Sequence, residues 1–94
     1  MLTITPDAMD IIRRVTEHPR LDDGAGLRIA SRPDPSAPLR VHVTDHPEPG
    51  DRVLEREGAR LYLAPVAAER VAGRELDAVT DAEGRVRFVS RRAA

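Results

Sequence analysis

The chain has 94 residues, no cysteine, and fifteen arginines without one lysine. The missing cysteine removes disulfides, thiolate catalysis and cysteine-ligated metals, and one Tyr, one Phe and no Trp leave an aliphatic core. Sixteen acidic against fifteen basic residues give a formal charge of −1, so no net field draws the protein toward nucleic acid or an anionic membrane. Arginine without lysine, in a sequence that also lacks Asn and Gln, reads as codon pressure in a GC-rich genome rather than as selection for guanidinium chemistry. A domain of this size buries only about 60–65% of its unfolded surface, so its small core must be well packed.

Thr5-Pro6-Asp7 is a helix-start signal: a capping hydroxyl, a proline suited to the first helical position, and an acid at the positive helix end. The helix is expected over 6–18, with Ala8, Ile11, Ile12 and Val15 on one face, Met9 at its flank and Pro19 as its stop. His18 then serves as a C-terminal cation or cap. Residues 21–24 read as a polar turn and 27–30 as a strand. Pro33, Pro35 and Pro38 make 33–38 a loop, and 39–44 resumes strand alternation, with Leu39, Val41 and Val43 facing inward.

The run 45–51 is a long Pro- and Gly-rich turn, followed by short strands over 53–56 and 59–63 around a tight Glu57-Gly58 hairpin. Pro65 opens a short helix over 66–72, closed by Gly73 as a left-handed cap. Residues 76–80 and 85–90 form a last hairpin, and 91–94 a frayed tail. The whole is one α+β domain spanning 1–94, with six or seven mostly antiparallel strands and two helices. Leu27, Ile29, Val41, Val43, Leu61, Leu63, Val86 and Phe88 are expected to share one core with Ile11, Ile12 and Val15.

The strings Leu2-Thr3-Ile4-Thr5, Gly26-Leu27-Arg28-Ile29, Asp45-His46-Pro47-Glu48-Pro49-Gly50-Asp51 and Glu57-Gly58, in this order, resemble the A-type iron–sulfur carriers, the HesB/IscA-like family, over nearly the full length. The resemblance implies a compact β-sandwich with two helices packed on it. It also implies a non-enzymatic cytoplasmic protein that hands on cargo, meets other proteins of iron–sulfur metabolism and forms homo-oligomers. Members of the family hold iron or a cluster with one loop cysteine and a C-terminal pair. The loop position falls at about Ser36, a degenerate ligand position, and the pair has no counterpart after Phe88. A serine hydroxyl replaces thiolate poorly, so no cofactor is expected, and the reading is a scaffold or interaction module without a cluster.

Other chemistry is sparse. His42-Val43-Thr44-Asp45-His46 offers an alternative, divalent-metal binding through His42, His46 and carboxylates such as Asp45, but i and i+4 residues of a strand stand about 13 Å apart. Ser31, Ser36 and Ser90 lack the setting of an activated nucleophile, no glycine-rich loop opens a helix, and the Asp22-Asp23 pair reads as solvated. Arg85, Arg87 and Arg91 share one face of the last strand, with Arg92 beyond and Arg13 or Arg14 as possible neighbours, but the scarcity of aromatics argues against a nucleic-acid partner. No signal peptide or membrane-spanning run is legible, which makes the cytoplasm the expected compartment.

Overall fold

A computed structural model describes residues 2–19, 23–34 and 36–93. In chain order the elements are β1 (Thr3–Ile4), α1 (Pro6–Thr16), β2 (Gly26–Ala30), β3 (Arg40–Thr44), β4 (Arg52–Arg56), β5 (Ala59–Leu63), α2 (Pro65–Val71), β6 (Arg74–Thr80) and β7 (Val86–Arg92). They form a four-stranded sheet of order β3-β2-β5-β4 and a three-stranded sheet of order β1-β6-β7. Hairpin neighbours pair antiparallel, whereas β1 with β6 and β2 with β5 pair parallel. The inner faces of both sheets and the apolar faces of both helices share one core, the α+β arrangement expected from the sequence.

Local chemistry explains the elements. The Thr5 hydroxyl accepts from the Ala8 N–H at 3.2 Å and donates to the Asp77 carboxylate at 2.6 Å, so the α1 cap also ties the helix to β6. The helix ends at Thr16, two residues short of the expected His18. Its last carbonyls are taken by the Thr16 hydroxyl, bonded to Ile12, and by the Glu17 N–H, bonded to Arg13. His18 lies past that cap, with its backbone N–H on the Val15 carbonyl. At the β4–β5 turn Glu57 and Gly58 have φ of +50° and +84°, the two left-handed residues of a tight hairpin. Gly26 has a different reason to lack a side chain: a Cβ there would stand 2.8 Å from the Arg60 carbonyl oxygen of β5.

The core contains Ile12, Leu27, Ile29, Leu61, Leu63, Leu76 and Phe88, with Val41, Ile11 and Val15 packed against it. Two expected members are corrected: Val43 is 48% exposed and Val86 43% exposed. Both lie on edge strands, Val43 on β3 and Val86 at the start of β7, where no neighbouring strand shields the second side. Met9, expected at the flank of α1, is buried beside Ala8 and Ile12, because the helix faces β5 and β2 on one side and β6 on the other. Arg91 and Arg92, expected in a frayed tail, extend β7 by pairing with Glu75 and Arg74. The Arg91 guanidinium also meets the Asp77 carboxylate at 3.3 Å, and Arg85, in the turn before β7, meets Asp81 and Glu83. The expected turn at 21–24 falls partly outside the described residues, as do Asp22 and Pro35. No helix among the described residues is long and apolar enough to cross a membrane.

Candidate functional site

The loop between β2 and β3 carries Ser36, and it is closed on itself. One oxygen of the Asp34 carboxylate accepts both the Ser36 N–H, at 2.9 Å, and the Ser36 hydroxyl, at 2.8 Å. The Ala37 N–H adds a bond to the Asp34 carbonyl at 3.0 Å. These are the bonds of an Asx turn, in which an aspartate side chain stands in for a backbone acceptor. Donation from the Ser36 backbone N–H, then from its hydroxyl, holds the Asp34 carboxyl below the usual carboxylate range. From α2, Arg70 donates to the Ser31 hydroxyl and to the Ala37 carbonyl, the latter at 2.9 Å, fastening both ends of the loop to the helix. Ser36 therefore presents a protonated hydroxyl already spent on a carboxylate, a poor donor to a soft metal. The other two serines are likewise engaged: Ser31 donates to the Arg32 carbonyl, and Ser90 accepts from Arg74.

The histidines separate. His42 lies on the outer face of β3, opposite Arg28, whereas His46 follows the strand in the turn. There its Nδ1 stands 2.5 Å from the Asp45 carboxylate, and its carbonyl accepts the Thr44 hydroxyl at 3.1 Å. Among the described residues no three His, Asp or Glu side chains gather where they could hold a metal ion.

A constellation unforeseen in the sequence sits on the same outer face. Arg28 makes a two-pronged pair with Asp51, Nε to Oδ2 at 2.8 Å and Nη2 to Oδ1 at 2.9 Å, and reaches Glu48 at 3.0 Å. Its side chain is 12% exposed and that of Asp51 0%. Hydrogen bonding to Arg28 keeps the Asp51 carboxyl below its ordinary value, against the desolvation that opposes it, and His42 adds a smaller push in the same direction. Asp51 also closes its own turn by accepting the Glu48 N–H at 2.9 Å. Beside it the Tyr62 hydroxyl donates to the Gly24 carbonyl at 2.6 Å, and Arg60 donates to the carbonyls of Asp23 and Ala25. Both halves of the ion pair lie in strings that carry the family resemblance, but their 23-residue separation gave no local sign that they meet.

No family model and no curated protein matches the sequence. Solved structures do. IscA with its [2Fe-2S] cluster aligns at a TM-score of 0.67 with 25% identity, covering 98% of this chain and 85% of that one. Escherichia coli SufA, involved in biosynthesis of iron–sulfur clusters, aligns at 0.69 with 26% identity over 98% of this chain and 87% of its own. This is the IscA/SufA fold. A protein from Aquifex aeolicus, solved in solution, gives 0.69 with 25% identity, covering 98% and 91%. In this IscA-like chain the strings that carry the resemblance have structural roles: Thr5 caps α1, Arg28 and Asp51 join β2 to the turn before β4, and Glu57-Gly58 reverses the chain. The IscA-like scaffold is thus present in a sequence of 94 residues without a cysteine.

Proposed function

We propose that this IscA-like protein is a non-enzymatic module of iron–sulfur metabolism that holds no cluster itself. It acts in the cytoplasm through contacts with other proteins of that metabolism and with copies of itself. One observation supports the reading: Ser36, at about the place where the resemblance puts a loop ligand, is hydrogen-bonded to Asp34 in an Asx turn, in a chain without thiols. The neighbouring folds support the metabolic setting, since one contains a [2Fe-2S] cluster and another takes part in cluster biosynthesis.

Anaerobic reconstitution with iron and sulfide, followed by desalting and an absorption spectrum, tests this. The expected result is no stoichiometric visible cluster band; such a band overturns the reading. Divalent-metal binding through His42, His46 and Asp45 rests on less, because only the adjacent Asp45–His46 pair is close. A Zn²⁺-dependent rise in melting temperature that vanishes in a His42→Ala, His46→Ala double variant would establish it.

A further inference from the structure

Strand β4 is one open edge of the four-stranded sheet. Alternation along it puts Arg52, Leu54 and Arg56 on the side that faces α2, and Val53 and Glu55 on the other. Between β4 and α2 lies a groove of about 230 Å³, lined by Leu54, Leu63, Ala68 and Val71 together with Arg52 and Arg56. Arg13, Arg28, Arg60, Arg85 and Arg91 all find carboxylates within the chain. Neither Arg52 nor Arg56 has an ion pair among the described residues; Arg56 gives one N–H to the Leu2 carbonyl at 2.9 Å. Glu55, the one acid on the strand, is held by Arg60 at 2.8 Å on the opposite face and does not neutralise them.

An apolar groove with one unneutralised cation two residues to either side of its central leucine has a specific complement. We propose that β4 is the docking edge for an extended acidic segment of a partner protein, of the pattern carboxylate–x–aliphatic–x–carboxylate, added as a fifth strand. A strand advances about 3.3 Å per residue, so such a segment repeats the spacing of Arg52, Leu54 and Arg56, with the outer two about 13 Å apart. Its aliphatic side chain enters the groove, its carboxylates meet the two guanidinium groups, and its main chain takes the unpaired backbone groups of the edge. A helical segment does not match this period-two array. The inference rests on the interaction reading above, but its test is separate from the cluster test and either can fail alone.

The probe is a blocked, fluorescently labelled peptide E-T-L-T-E, compared with K-T-L-T-K and E-T-A-T-E by anisotropy at low and high salt. The acidic leucine peptide is expected to bind at least about tenfold more tightly than either control, with affinity falling as salt rises. Arg52→Glu, Arg56→Glu should abolish that binding and gain the lysine peptide. Arg52→Glu alone, which leaves the Arg56–Leu2 bond in place, should weaken it at least about threefold. Amide shifts on binding should concentrate at 52–56 and in α2. Equal binding of the lysine peptide, indifference to the charge reversal, shifts confined elsewhere, or no binding overturns the proposal. So does a concentration-dependent dimer that Arg52→Glu dissolves, which would make a second copy the occupant.

Discussion

The Asp51 side chain has no exposed surface yet keeps its charge, which Arg28 chiefly compensates, with the Glu48 N–H as a second donor. Removing one partner of a buried pair leaves the other uncompensated, at a cost of about 3–5 kcal/mol. Because Glu48 also reaches Arg28, Asp51→Ala should fall at the lower end, about 3 kcal/mol, in urea unfolding at neutral pH. The folded carboxyl sits below its ordinary range because of Arg28, so its contribution is fully present above the unfolded value of about 3.9 and is lost as pH falls through the lower folded value. Wild-type protein should accordingly lose more stability than Asp51→Asn between about pH 7 and about pH 2.5. An unchanged gap between the two would mean the pair does not set the acid limb. The sequence displays both residues but not their meeting, since the turn at 45–51 must first fold over the outer face of β2.

At the scale of elements, the boundaries set by short-range chemistry were the legible ones. Thr5-Pro6-Asp7 marks the start of α1 because capping spans three or four residues, and Glu57-Gly58 marks its hairpin because only two residues turn. Thr5→Ala should cost about 1 kcal/mol for the cap alone, and more through the lost bond to Asp77, whereas Thr5→Ser retains most of both. Thermal melts of the two variants distinguish a capping role from mere methyl packing, which would make them alike. Gly58→Ala should cost about 1–2 kcal/mol, because an L-residue at φ +84° brings its Cβ against neighbouring backbone. A neutral melt there would show that the hairpin adopts another turn. Strand pairing was less legible. The parallel partners β2 and β5 are separated by two intervening strands, and alternation alone does not reveal that β3 and β7 are edges. That is why Val43 and Val86 look like core in the sequence and stand half exposed in the fold.

Taken whole, the molecule has a radius of gyration of 12.5 Å, against about 12.4 Å expected for a compact chain of this length. Its architecture was readable from ordered strings, whereas the surroundings of Ser36, where the resemblance puts a loop ligand, were not. The hydrogen bonds that engage Ser36 depend on the loop conformation and on Arg70 of α2, more than thirty residues further along. A Ser36→Cys variant separates ligand identity from ligand number. It supplies one thiolate per chain beside Asp34, too few for a site built on several soft ligands, and reconstitution should still give no stoichiometric visible band. Appearance of that band would show that the scaffold needs only one thiol to recover cluster binding.

The pairing of β1 with β6 carries a consequence for how the protein is made. Thr3 and Ile4 take Glu75 and Leu76 as neighbours, and the Thr5 hydroxyl reaches Asp77 across 72 residues of sequence. During synthesis the first strand therefore emerges from the ribosome long before anything exists for it to pair with. The cap that anchors α1 to β6 waits equally long, because both of these contacts need residues 74–80 to have been made.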